Sequence, residues 1–515
     1  MLRGRLFTVL LICLSLVSCR RDRIDVVPGP IGRVTLAASA VDLPVGGSAV
    51  IEFQLAGAEP GEVSLRLRDG GEPQEFRLTG VSEGVSQGVF FANISDSGVS
   101  GAYSREVCLV AGGAASDYIC VNCGQPGFPR AVDTGLPVVF VTTDGGRTPE
   151  SKGMAVDAVF SVRGGGGYGD MSPHSCSLRG RGNTSWRWEK KPYRVEFRDH
   201  VPVLGMPSHG HWVLLAGFPD RTMMRNLVAM RVSSLTSLRW TPRCVPVELV
   251  LNGRHVGNYL LTEQVEVDPC RVDVSSEGFL LELDFHFDNE RQWMDPHGLS
   301  RYSVGIPFAV RYPAPDELSA EAFESVKQYV AAAADALYSE GFADPDSGYA
   351  RWLDVDSFVD YWLVFEILGN PELSNPGSVF MHKEAGGKLV AGPCWDFDCC
   401  LRQLGTDVQD LAGILNRYGI WYMRLFRDPA FGRRVRERFL ELLPALESVP
   451  DYIEQCRQLL AASAELNFAM WNPAEDRWQN KGLLINGDEL LGFGDAVAQL
   501  REVYLQRLEL LKKNI

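Results

Sequence analysis

Lys388-Leu389-Val390-Ala391-Gly392-Pro393-Cys394-Trp395-Asp396-Phe397-Asp398 is the stretch on which both the fold and the chemistry turn. Residues 388–393 form a short strand-like run inside a region that otherwise reads as helical. Segments 316–338, 355–368, 422–446 and 497–511 around it repeat apolar residues at helical spacing. From about 137 to 313 strand-like runs stand at 136–143, 193–197, 212–215, 245–251 and 279–283. Asn252-Gly253 joins two such runs and is a strong hairpin signal. Asp220 or Thr222 is placed to cap a helix running toward Ser234. A mixed β front followed by a helical back predicts an α+β architecture in two lobes. The cleft between lobes is the usual place for a ligand.

The chemistry begins at Trp395-Asp396-Phe397-Asp398. Two carboxylates two residues apart in extended chain point to the same side. They repel unless a cation lies between them or one is protonated. Mg²⁺ takes one or two carboxylates together with substrate phosphates. Alternatively, each aspartate caps a turn or pairs with an arginine such as Arg402. Glu366, Asn370, Glu372 and Asn375 form a second group, at the end of an apolar helix and in the loop after it. Such a loop can present oxygen ligands and a base, but Ser374-Asn375-Pro376-Gly377 also reads as plain turn chemistry. A third group runs from Arg179-Gly180-Arg181-Gly182-Asn183-Thr184-Ser185-Trp186 to Lys190-Lys191-Pro192-Tyr193-Arg194. Its glycines free backbone N–H groups to approach phosphates, and its lysines open a strand. Gly164, Gly166 and Gly169 also fit a phosphate-loop spacing, but a four-glycine run satisfies it easily and no helix follows.

At 515 residues the chain is long enough for two to four domains. Apolar residues at 45% and charged residues at 22% exclude a disordered or collagen-like chain. A net charge of −15 argues against nucleic-acid binding, which draws on basic patches. Residues 32–123 read as β: Ile51, Phe53 and Leu55 alternate with polar residues, as do Val63, Leu65 and Leu67, and Phe76 and Leu78 resume the pattern after Asp69-Gly70-Gly71. Short strands with Gly-rich turns predict a small immunoglobulin-like β-sandwich serving as a spacer or binding module. Gly124, Pro126, Gly127 and Pro129 mark a linker. The basic run Gly432–Arg438 interleaves with Glu437 and Glu441 and reads as a solvated helix face. His209-Gly210-His211 offers two metal ligands, although a loop is the simpler reading.

Arg3 and Arg5 precede an apolar run at 6–16 that ends in Leu16-Val17-Ser18-Cys19. This resembles the signal of a bacterial lipoprotein, cleaved before an acylated Cys19. Loss of residues 1–18 removes two arginines and takes the charge from −15 to −17. The expectation is an exported protein of the bacterial cell envelope, held to a membrane by the lipid on Cys19, with 19–31 as a tether. Ten cysteines remain beyond Cys13 and Cys19, and an oxidising compartment favours disulfides among them. Cys108 with Cys120 or Cys123 is a candidate bridge between neighbouring strands.

Four stretches in order carry a family resemblance: Arg181–Trp186 with Lys190–Arg194, Asp220-x-Thr222-x-x-Arg225-Asn226, Val247–Gly253 continuing to Glu263, and Gly392-Pro393-x-Trp395-Asp396-Phe397-Asp398. The set resembles the spore-coat protein H (CotH) kinase family, over about residues 135–420, with the later helices completing a domain at 135–515. The resemblance implies a divergent, two-lobed protein-kinase-like fold using ATP with Mg²⁺ or Mn²⁺. It implies that Lys190 or Lys191, with Arg181 and Asn183, meets the nucleotide, and that Glu263 and Glu282 lie on the nucleotide side. It implies that Asp396 binds metal, with Asp398 and Asn375 as further ligands, and that Glu372 orients a hydroxyl. Many members have Asn-x-Asp where this chain has Asn370-Pro371-Glu372, and Cys399-Cys400 stands where they have glycine.

Two functions follow as expectations. The first is an ATP-dependent transferase acting on a protein at the cell surface. The alternative is a non-catalytic surface adhesin or assembly protein with a degenerate kinase-like domain. A glycosidase reading is weaker, since Asp396 and Asp398 are too close in sequence to flank a glycosidic bond.

Overall fold

The computed structural model describes residues 134–515 apart from 253, 287–290, 300–303, 375, 403–412 and 473–485, and, before them, strand segments from Arg33 to Gly124. The expected signal sequence and tether, Cys19, the turn expected at 69–71, the expected linker at 125–133 and Asn375 lie outside the described residues. No helix among the described residues is long and apolar enough to cross a membrane.

The front of the chain is all strand: β1 (Arg33–Leu36), β2 (Ala40–Pro44), β3 (Ser48–Ala56), β4 (Val63–Leu67), β5 (Phe76–Ser82), β6 (Val85–Phe91), β7 (Tyr103–Ala111), β8 (Ala114–Ala115) and β9 (Ile119–Gly124). They form one sheet of order β1-β3-β6-β5 and another of order β2-β9-β7-β4. The three alternating runs seen in the sequence coincide with β3, β4 and β5. β7 and β9 are neighbours as expected, but their register sets Cys120 opposite Glu106 and Cys123 opposite Tyr103. Neither therefore faces Cys108, which is a buried free thiol.

The next seven strands close into a barrel: β10 (Val138–Thr143), β11 (Val156–Arg163), β12 (Met171–Gly180), β13 (Tyr193–Val203), β14 (Met206–Leu215), β15 (Cys244–Leu251) and β16 (Arg254–Glu263). Every pairing is antiparallel except β10 with β15, which closes the ring in parallel. Val139, Val141, Trp212, Leu214, Val247 and Leu249 fill the interior, two residues apart on each strand as side-chain alternation demands. Asn252 turns the β15–β16 hairpin with φ +50°, the left-handed conformation such turns require. His209 and His211 lie on β14, not in a loop. Pairing with β13 sets their strand, and the irregular register near Val201 accounts for the weak alternation in sequence.

α1 (Arg225–Ser234) bridges β14 to β15 and ends where the sequence indicated. A second sheet of order β18-β19-β17-β20-β21 follows, built from β17 (Phe279–Leu283), β18 (Gln292–Leu299), β19 (Val304–Tyr312), β20 (Val379–Lys383) and β21 (Val390–Ala391). The strand-like run at 388–393 is thus the edge strand β21. The other helices are α2 (Ala320–Tyr338), α3 (Val355–Ile367), α4 (Tyr422–Leu425), α5 (Pro429–Leu446), α6 (Val449–Met470) and α7 (Phe493–Asn514); α2 and α3 pack on this sheet at β18 and β21, and α6 packs on β16 of the barrel. α6 was not evident in the sequence: Pro450 near its start reads as a break, and Cys456, Ser463 and Ala464 weaken its buried stripe. α3 is buried on every side from Phe358 to Ile367, as its nearly unbroken apolar run requires. Its two charged exceptions in that run are both paired, Asp360 with Arg438 of α5 at 2.7 Å and Glu366 with Arg507 of α7 at 2.6 Å.

Candidate functional site

α3 ends in a Schellman closure. Gly369 adopts φ +58°, and the Gly369 and Asn370 N–H groups donate back to Glu366 O and Phe365 O at 3.2 and 2.9 Å. This turn delivers Asn370 and Glu372 to the exit of β21. Asn370 Oδ1 accepts the Glu372 N–H at 2.9 Å, and its Nδ2 donates to Asp396 O at 3.4 Å. Glu366, grouped with them in the sequence, is instead part of the core, accepting N–H groups of Leu415 and Asn416 besides Arg507.

The backbone at Trp395-Asp396-Phe397-Asp398 is not extended: Asp396 has φ +64°. The two carboxylates nevertheless meet, by side-chain hydrogen bonding across the turn. The first turn of α1 clamps this turn. Asn226 Oδ1 accepts the Phe397 N–H at 2.9 Å, and Arg225 Nε donates to Cys400 O at 2.8 Å. Arg225 is fixed in turn by Asp488 at 2.6 Å and by Asp220 at 2.5 Å. The Asp220–Asn226 motif thus positions the aspartates. Phe397 anchors the turn from beneath, 4.8 Å from the ring of Phe365.

Glu372, Asp396 and Asp398 form one electrostatic group. Burial, then the two aspartates, pushes the Glu372 carboxyl well above the usual range, although it accepts the Gly377 N–H. Burial also raises Asp396, with Arg181, Asp398 and Ser378 working against the rise; the side chain is reached by solvent, which moderates the effect. Asp398 is raised by burial and by Asp396. Arg402 opposes the rise at Glu372 and Asp398 and donates Nε to Cys399 O at 2.8 Å. Burial thus disfavours the charged form of all three carboxyls, a cost that a divalent cation, which takes hard oxygen ligands, would relieve.

The cation that faces them is Arg181. Its guanidinium lies 5.7 Å over the Trp395 ring. Burial lowers its affinity for a proton, and Asp396, Glu282 and Asp398 oppose that loss. Glu282 on β17 holds Arg311 at 2.5 Å. Close packing puts Arg181 there: a Cβ on Gly180 would lie 2.4 Å from the Trp186 ring, so only glycine lets this turn fold over.

The remaining candidates are committed elsewhere. Lys190 is buried, donating to Asn258 O and to Asn467 Oδ1, the latter at 2.9 Å. Lys191 donates to Trp186 O and Trp188 O at 2.8 and 2.5 Å. Glu263 binds Arg243 through both oxygens at 2.8 and 2.9 Å. Asn183 accepts from Lys152 at 2.7 Å. The structure therefore brings together Arg181, Glu282, Glu372, Asp396 and Asp398. Asn226, Arg402 and Ser378 complete the cluster; Asn226 had a sequence signal through its motif and Arg402 as the partner named for the aspartates, whereas Ser378 had none.

No curated protein matches the chain. Among solved structures it is similar to an IG27 protein domain, at 15% identity over 18% of this chain and 96% of that one, with TM-score 0.13. It is also similar to the I9–I11 tandem from titin, at 10% identity over 32% and 61% of the two chains, TM-score 0.13, and to tandem Ig repeats of Dlar, at 10% over 35% and 95%, TM-score 0.15. At such scores these likenesses carry no argument. The family model described as CotH kinase protein matches residues 178–511, from β12 through α7, a span that includes Arg181, Glu282, Glu372, Asp396 and Asp398. The chain belongs to the CotH kinase family.

Proposed function

We propose that the chain is an ATP- and Mg²⁺-dependent transferase with a two-lobed kinase-like domain, modifying a protein at the bacterial cell surface. In this reading it is exported and lipid-anchored through Cys19, and its front strands form an immunoglobulin-like sandwich that spaces or docks the domain. The observation that carries it is the convergence of Glu372, Asp396 and Asp398 opposite Arg181. The donor set fits a hard divalent ion, Mg²⁺ or Mn²⁺, which Asp396 and Asp398 would hold. Such an ion supplies charge neutralisation at a transferring phosphoryl group. Arg181 would bind phosphate oxygens, a task its planar fork suits. Glu372, its carboxyl raised by burial and by the two aspartates, would orient the acceptor hydroxyl.

A second reading, a non-catalytic adhesin or assembly protein, is favoured by one observation: both lysines of the Lys190-Lys191 pair donate to other protein groups. Thermal unfolding with ATP and Mg²⁺ or Mn²⁺ separates the two. Ligand at 100 times its dissociation constant stabilises by about 2.7 kcal/mol. The transferase reading expects a metal-dependent rise, lost in Asp396→Asn, a substitution that tolerates the left-handed backbone. Undiminished ATP-dependent labelling by that variant would exclude this site assignment. No rise in either protein would favour the non-catalytic reading.

A further inference from the structure

Three of the eight histidines gather on the barrel, outside the acidic cleft. His200 lies on β13, His209 and His211 lie on β14, and Glu266 and Asp268 follow β16. The rings of His200 and His209 are 5.2 Å apart, and those of His209 and His211 5.5 Å. Both Glu266 oxygens stand 2.9 Å from His211 Nδ1, and Oε2 is 3.9 Å from His209 Nδ1. His209 Nε2 is 3.9 Å from Asp268. One ligand atom each from His209, His211 and Glu266 lies within 4.8 Å of the others, an arrangement no other His, Cys, Asp and Glu side chains reach among the described residues.

We propose that His209, His211 and Glu266 form a binding site for a divalent transition ion of the Zn²⁺ class. Ligands 2.0–2.2 Å from a tetrahedral ion stand about 3.4 Å apart. The separations of 2.9 and 3.9 Å bracket that value. Two imidazoles and one carboxylate suit zinc, whereas Mg²⁺ takes oxygen donors, so this site is chemically distinct from the aspartate pair.

Two features set the affinity. His209 Nδ1 accepts the His211 N–H at 2.9 Å, and binding exchanges that bond for the metal. Arg194 and Arg271 hold Glu266 at 3.1 and 3.4 Å. They orient the carboxylate, which has about four acceptor positions, but they oppose added positive charge. An occupied site would pin the segment after β16 to β14.

The test uses the full chain carrying Asp396→Asn and Asp398→Asn, which silences the acidic cleft, after dialysis against chelator. Co²⁺ is titrated and read by its visible absorption, then displaced by Zn²⁺. One ion per chain, with the strong absorption of four-coordinate cobalt, is expected. His211→Gln and Glu266→Gln should each weaken binding by more than about 100-fold, since loss of an outer-shell partner alone costs 10–100-fold. No binding at micromolar ion, or only the weak absorption of six-coordinate cobalt, overturns the proposal. So does unchanged titration in both variants. The absorption of the parent chain decides the matter even if a variant misfolds.

Discussion

Replacing Lys190 with methionine separates a structural lysine from a nucleotide-binding one. Lys190 is 2% exposed, 4.6 Å above the Tyr259 ring, and held by Asn258 O and Asn467 Oδ1. Burial, only partly offset by Glu248, lowers its ammonium from 10.5 to about 7. A displacement of that size corresponds to about 4 to 5 kcal/mol disfavouring the charged form in the fold. Because the folded value is depressed, the unfolded chain binds the proton more tightly between pH 7 and 10.5, and stability rises with pH across that window. From pH 7 to 9 this one group should add about 2 kcal/mol. Lys190→Met cannot titrate; it removes the bonds to Asn258 O and Asn467 Oδ1, the latter still accepting the Asn258 N–H at 3.2 Å, and that loss does not vary with pH. Urea denaturation of both proteins at pH 7, 8 and 9 cancels every other titrating group. The stability difference should move against the variant by about 2 kcal/mol over the range. Parallel pH profiles would refute the burial argument. If the profiles are parallel and the variant also loses its ATP-dependent thermal rise, Lys190 belongs to the nucleotide site after all.

Other outcomes follow from the same geometry. Arg225→Met leaves Asp220 and Asp488 buried without their cation and should cost on the order of 3–5 kcal/mol in urea unfolding; a loss under about 1 kcal/mol would contradict the clamp described for α1. Gly180→Ala drives a methyl group into the Trp186 ring and should cost about 1–3 kcal/mol. Combining it with Trp186→Leu should recover most of that loss, and additive losses would show that the contact is not the cause.

Much of the architecture was legible from local pattern. Alternation marked β3, β4 and β5, Asn252 marked the hairpin, and helical spacing marked α2, α3, α5 and α7, because these signals depend on neighbours within about ten residues. β11, β12, β18, β19 and β20 were not marked. Several are rich in Gly, Pro or polar residues, and long-range pairing rather than their own alternation holds them as strands.

Asp396, Asp398 and Glu372 could be named from the sequence because a two-residue spacing and a helix-ending loop are local facts. Their meeting with Arg181 could not be read, since it depends on β12 and β21 being brought together across more than 200 residues. The same limit hid the fate of the lysines: Lys190 is next to Lys191 in the chain, yet its partner Asn467 lies on α6. Burial and pairing are properties of the closed barrel and the packed helices. The sequence alone determined which residues could do chemistry; the tertiary structure decided which of them face one another, because contact, desolvation and charge compensation arise only when distant segments pack.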